Sequence, residues 1–421
     1  MTQNAEAKLT WLNEVLGVGK DDESEEELQQ KGFFESIGEM VSGAVDTVVK
    51  LVSGPEPTEE QKKLNAKVDT LEKLGLDTKR LKSDGVDQAK KLEAAAKITD
   101  EAERKAAIDL VNKRIEELEQ HAAALEAAAK SVMGSTKGAP NATQKAAIYK
   151  KALEDHYGLA IQIPSGMSNT HMDRVYDMMG TVPKGQAKHD KLDKLEYIDT
   201  NDYKGSGAYG GTTIKMGDFG DASGMENYTV DGKTLPANSF DVTTLHELGH
   251  ALDSKEGIMA AHMSKTGCGG WKTESKDSTI DALVAFFKKK VKVSDKMTEA
   301  MVRSAIDSAL GGAIPAAPDG AEEADWDKVR DFLGDYPMKI RSGYSPWFKE
   351  PVDVDGRAYI QSYSTRWNSY SVAARAPTLV NKYQWRAPGE WFAEVYAISW
   401  LKKTKPPAAV DKAVAEYMWK P

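Results

Sequence analysis

His246, Glu247 and His250 stand in the order His-Glu-x-x-His within the run from Asp241 to Asp253. Leu245, Leu248, Ala251 and Leu252 give that run a helical apolar period, and Asp241 is placed to cap its start. Residues four apart on a helix lie one above the other, so both imidazoles can reach a point about 2.0–2.1 Å from each, the distance that suits zinc. Glu247 is rotated about 100 degrees from His246, which sets its carboxylate beside that point. Zinc brings the pKa of its water toward about 7; a neighbouring carboxylate then takes the proton as water attacks a carbonyl, and passes it to the leaving amine. The chemistry implied is hydrolysis of a peptide bond. The apolar neighbours weigh against three idle polar side chains on a surface helix.

A third ligand must come from elsewhere. A direct return of the chain would put Gly at 253 and His at 256, and this chain has Asp253 and Glu256. Glu256 and Glu274 are nearby carboxylates, the latter close to the irregular stretch Gly267, Cys268, Gly269, Gly270. A better-placed pair lies far downstream, where Pro388 and Gly389 end a loop and Glu390 opens a helix on which Glu394 shares its face. Two carboxylates one turn apart can divide the work: one binds metal, the other accepts the free ring N–H of a ligand histidine and fixes its tautomer. An amphipathic helix with solvated glutamates is the competing reading.

The run His246-Glu-Leu-Gly-His250-Ala-Leu-Asp253, with Tyr383 and Glu390-Trp-Phe-Ala-Glu394 some 140 residues on, resembles the catalytic domain of the anthrax-toxin lethal-factor family of zinc metalloproteases. The resemblance implies one zinc ion bound by His246, His250 and Glu390, Glu247 as catalytic base, and Tyr383 stabilising the oxyanion or assisting the leaving group. It further implies supporting roles for Glu394 and Asp253. It covers at most residues 141–421, and the long spacing between the motifs implies insertions around Gly267 to Trp271 and Ile314 to Pro351. The first 140 residues show nothing like that toxin's receptor-binding domain.

The elements that must position these residues follow from periodicity. Thr143 to His156, Asn169 to Met179, Phe240 to Ser254, Gly389 to Lys402 and Ala408 to Trp419 read as helices, and Leu159 to Ile163, Leu195 to Asp199 and Thr212 to Met216 as strands. Thr212 to Met216 suits either a sheet edge open to an extended peptide or plain core pairing, and Gly343 to Pro388 reads as irregular. The expected fold is α+β: a zincin-like domain with a small sheet packed on the motif helix and further helices behind.

Upstream, Thr58-Glu59-Glu60-Gln61 is a capping box, and Ile108, Val111, Ile115, Leu118, Ala122, Leu125 and Ala129 form a heptad seam on a helix from Asp100 to Ser131. Its expected partner, Gln61 to Leu76, gives a helical hairpin or small bundle. Phe34, Ile37, Val41, Val45, Val48 and Val52 make one apolar helical face, while Glu35, Glu39, Asp46 and Lys50 argue against a membrane span. Three segments result: 1–57, an amphipathic helical segment for export, targeting or docking; 58–140, the hairpin or bundle; and 141–421, the zinc metalloprotease domain.

The 421 residues carry 56 Lys and Arg against 65 Asp and Glu, a net charge of −9 that attracts no phosphate backbone, so nucleic acid is not an expected partner. A single cysteine excludes an internal disulfide and a thiolate metal cage. Cys268 is expected to be inert, His121, His156, His171, His189 and His262 to be surface or hydrogen-bonded residues, and the Asp218 to Asp221 loop to lack the ligands for calcium. No Sec-type signal opens the chain. The sequence therefore predicts a zinc endopeptidase acting on a protein or peptide, delivered as a bacterial effector or toxin by a non-Sec route, with a secretion apparatus as a possible partner of the N-terminal region. Two alternatives stand beside it: an adaptor whose helical module is the working part, and a cytoplasmic metallopeptidase.

Overall fold

The computed structural model describes residues 57–136, 138–164, 171–198, 206–217, 219, 224–341, 350–363 and 366–418. The apolar helical face expected at 34–52 and most of the Asp218 to Asp221 loop lie outside them. Residues from Pro57 onward form one compact α+β unit.

The bundle comes first. α1 (Glu59–Lys73) opens on the Thr58–Gln61 capping box, α2 (Lys79–Ala96) runs back, and α3 (Glu101–Met133) is capped by the Asp100 side chain. The heptad seam is buried as its spacing requires: Val111, Ile115, Leu118, Ala122, Leu125 and Ala129 face Leu64, Val68 and Leu71. α2, which the periodicity left unassigned, makes this a three-helix arrangement.

After the bundle come α4 (Ala142–Ala152), continued by a π-turn to Tyr157, then β1 (Ala160–Gln162), α5 (Met172–Thr181), α6 (Lys184–Ala187), β2 (Lys194–Tyr197), β3 (Gly207–Gly210) and β4 (Thr213–Met216). β1, β2 and β4 are parallel neighbours in that order, and β3 joins antiparallel to β4 at the rim. The strand expected as a possible edge, Thr212 to Met216, therefore lies inside the sheet, where Ile214 and Met216 are buried; the edges are β1 and β3, the latter beside β4. β5 (Met225–Val230) and β6 (Lys233–Asn238) form a hairpin whose Asp231-Gly232 turn has positive φ at both residues, the two-residue geometry that suits strand twist. It feeds directly into α7 (Ser239–Glu256), the motif helix.

α8 (Ile258–His262) and β7 (Lys272–Glu274) follow, then α9 (Lys276–Lys290), α10 (Glu299–Leu310), α11 (Glu323–Asp335) and α12 (Pro337–Arg341). β8 (Asp353–Val354), β9 (Arg357–Ser362) and β10 (Arg366–Ser371) complete a second sheet in the order β7-β10-β9-β8. Much of the stretch read as irregular is therefore a sheet. It failed to stand out because β9 and β10 are buried along most of their length and show no clean alternation. This segment has its own core, in which Leu283, Phe287, Ile306, Trp326, Phe332 and Leu333 meet Val354 and Trp367. That core absorbs the long spacing between the two motifs. The chain closes with α13 (Val372–Thr378), a 3-10 turn at Tyr383–Arg386, α14 (Pro388–Lys402) and α15 (Lys412–Met418).

The boundary expected at residue 140 is not a break in packing. One continuous core joins Leu64, Leu71, Ile115 and Leu125 of the bundle to Tyr176, Leu245, Leu248 and Trp391. Arg80 of α2 donates to the carbonyls of Trp400 and Leu401, both at 3.3 Å, in the last turn of α14, where main-chain acceptors run short of helical donors. Lys403, in left-handed conformation just past that end, reaches Asp84 of α2 at 2.5 Å. The bundle thus anchors the helix that carries Glu390.

His121 of α3 is a second anchor. Its ring stacks on Tyr176 at 3.9 Å, its Nδ1 lies 2.8 Å from the Tyr157 hydroxyl, and a Cβ at Gly180 would fall 2.5 Å from its Nε2. Burial, then the charges of His156 and Arg114, hold its pKa well below the ordinary histidine value. Because the neutral form is the folded one, its stabilisation is complete above the unfolded pKa of about 6.5 and is lost as pH falls below it, at up to about 1.4 kcal/mol per pH unit. Denaturant unfolding from pH 7 to 5 is expected to show this loss, and His121→Gln to flatten it; equal slopes would remove His121 as the titrating group.

Candidate metal centre

α7 is fixed at both ends. The Asn238 side chain, not Asp241, caps its start by accepting from Phe240 N and Asp241 N, and Gly257 closes it in left-handed conformation. Asp241 instead accepts two bonds from the Arg174 guanidinium, at 2.8 and 2.6 Å, a bidentate pair that ties α7 to α5. Leu245, Leu248, Ala251 and Leu252 are buried as expected.

α14 starts with Pro388 at its first turn, where a missing N–H costs nothing. It is buried on every side from Glu390 to Trp400, which overturns the reading of solvated glutamates. α7 and α14 pack at close range because residue 249 is glycine: a Cβ there would meet Ala393 Cα at 3.0 Å and Tyr396 Cδ1 at 3.2 Å. This closeness brings the carboxylate of one helix to the imidazoles of the other.

His246 Nε2 lies 2.9 Å from Glu390 Oε2, His250 Nε2 lies 3.2 Å from the same oxygen, and the two nitrogens are 3.0 Å apart. A triangle of these sides has its centre within about 1.8 Å of each corner, so a point about 2.0–2.1 Å from all three atoms lies just off its plane. Two imidazole nitrogens and a carboxylate oxygen this close together are a donor set that can hold a divalent ion. Glu390 is 3% exposed and His246 6%, so water offers these groups little compensation. Burial opposes the charge of Glu390, but bonds from both histidines outweigh it and hold the carboxyl well below the usual range. His246 is pushed up despite its burial, chiefly by Glu394 and Glu390. The two shifts are the two sides of one pairing, imidazole against carboxylate.

The other expected residues divide. Glu394 Oε1 lies 2.8 Å from His246 Nδ1, the arrangement that leaves Nε2 to face the cluster, and its second oxygen accepts from Asn381. Glu247 is 4% exposed, with Oε2 buried and without a hydrogen-bond partner. Burial raises its pKa, against the pull of the two histidines. The β3 edge crosses directly above it: a Cβ at Gly207 would meet Thr243 Cγ2 at 2.7 Å and Glu247 Oε1 at 3.0 Å, so only glycine fits. Asp253 accepts the Met259 N–H at 2.7 Å, a bond that secures the turn after α7. Tyr383 holds its ring 5.9 Å from that of His246 and accepts from Arg386 Nη1 at 2.6 Å. Burial raises its pKa, so the phenol is neutral.

Glu274 and Glu256 are engaged elsewhere. Glu274 accepts from Ser369 and Ser278, both at 2.7 Å, and Glu256 pairs with Lys255 at 3.0 Å. Cys268 is buried, and burial pushes its thiol up to about 12, an unreactive state. The sequence reading missed Tyr363, Arg386 and Asn381. The hydroxyl of Tyr363 donates to Glu390 Oε1, and the Arg386 guanidinium sits over the Tyr363 ring at 4.4 Å and the Tyr383 ring at 5.4 Å. Arg386 sits within the motif segment and was open to inspection; Tyr363 carries no sequence signal, because only the sheet brings it to the site. No helix among the described residues is long and apolar enough to cross a membrane. Compared with family models, with curated proteins and with solved structures, the chain matches none.

Proposed function

We propose that the chain is a zinc-dependent endopeptidase of the lethal-factor-like, zincin type, with His246, His250 and Glu390 as ligands and Glu247 as general base. One observation carries the reading: three donor atoms from two helices, those of His246 and Glu390 buried and that of His250 half-buried, converge within 3.2 Å of one another, beside a buried carboxylate with a partnerless oxygen. A bound zinc ion would supply Lewis-acid polarisation of the scissile carbonyl and acidify water at its open position.

Each residue of the chain then has a task. Glu247, its carboxyl raised by burial, accepts the proton of the attacking water at Oε2 and returns it to the leaving amine. Tyr383, a neutral phenol whose oxygen takes a bond from Arg386, donates toward the developing oxyanion. Glu394 orients the His246 ring. β3 offers main-chain groups beside Glu247 to an extended peptide, with glycine at 207 and 210 leaving room for its backbone. The expected result is cleavage of an unbiased peptide library, abolished by a chelator and restored by zinc at about one equivalent; intact peptides after zinc loading would refute the proposal.

A further inference from the structure

We infer that Tyr363 is a positioning residue that confines Glu390 to ligation through one oxygen and so keeps a coordination position open for the reaction; this rests on the metal reading above, but not on the identity of the substrate. Glu390 Oε2 is the atom turned to both imidazoles, at 2.9 and 3.2 Å, while Oε1 takes the hydroxyl hydrogen of Tyr363. A carboxylate with both oxygens free can chelate an ion and fill the position that a catalytic centre needs empty. With Oε1 engaged in a charge-assisted bond, only Oε2 is offered.

The placement of Tyr363 is built, not incidental. It follows β9 directly, at φ 49°, a left-handed conformation that is unfavourable for a residue with a side chain. At 46% exposure, core packing does not account for holding it there. What does hold it is the end of the strand. Ser362, fully buried, donates to the Arg386 carbonyl at 2.6 Å and takes a bond from Asn368 at 3.2 Å, which pins the hairpin end to the loop before α14. The Arg386 guanidinium then lies on the Tyr363 ring, at 4.4 Å. The second sheet, whose strands share in the core of the helices between the motifs, thus reaches back to the ligand that those helices separate from α7.

Tyr363→Phe keeps the ring on Arg386 and deletes only the hydroxyl. Visible absorption of the cobalt-loaded full chain reads coordination number directly. The unsubstituted chain is expected to give the intense bands of a four-coordinate ion, and Tyr363→Phe bands weaker by roughly twofold or more as Glu390 chelates. Peptide cleavage is expected to fall about 10–100-fold with metal content unchanged. Identical cobalt spectra for the two chains would overturn the inference, as would weak bands in the unsubstituted chain. A spectral change without cleavage by either chain would leave the inference standing and refute only the peptidase reading.

Discussion

Replacement of Glu247 by Gln is expected to lower peptide hydrolysis by about 10²–10⁴-fold while the metal stays bound. Gln preserves the shape of the side chain, so the close fit under Gly207 of β3 survives. What it cannot do is accept a proton and return it. Glu247 contributes neither of the imidazoles nor the carboxylate oxygen of the donor cluster, so metal content has no reason to change. Its buried oxygen has no hydrogen-bond partner to satisfy, a cost that a structural residue would avoid and a base tolerates for its task. Initial rates on a cleaved peptide, with metal content measured on the same sample, check this. An undiminished rate would remove Glu247 as base, and loss of metal would reassign it as a ligand.

The donor set was legible because helical spacing is strict. Two histidines four apart must share a face, and Glu390 and Glu394 must do the same, so each motif specified half of the cluster before the halves met. That they meet depends on Gly249, whose role is visible only when Ala393 lies against it. The bundle seam was equally readable, since α3 is long and strongly periodic, but its relation to the rest was not. Arg80 and Lys403 act across more than 300 residues and His121 across 36, and the boundary expected at residue 140 follows glycine and proline, which mark chain turns whether or not packing continues beyond them.

The second sheet escaped for a different reason. Asp231-Gly232 and Asp355-Gly356 both carry the positive φ of tight hairpins, and Asp-Gly between extended runs is a turn signal readable from the sequence. Buried strands such as Arg357–Ser362 have too little alternation to declare themselves. Tyr363 inherits that silence: its place at the site is a property of the β9–β10 hairpin, and no local pattern marks it.

The account stands on joint ligation by two helices 140 residues apart. Glu390 Oε2 sits 2.9 and 3.2 Å from the two imidazole nitrogens and is the donor that brings negative charge to the site. Without it, two neutral nitrogens remain, and a buried divalent ion loses the ligand that compensates its desolvation. Glu390→Ala is therefore expected to weaken zinc binding by well over about 100-fold, more than the loss of an outer hydrogen bond to a ligand costs. Elemental analysis of the purified chain beside this variant tests that claim: about one zinc per chain falling to near none is the predicted result. An undiminished zinc content in Glu390→Ala would contradict it.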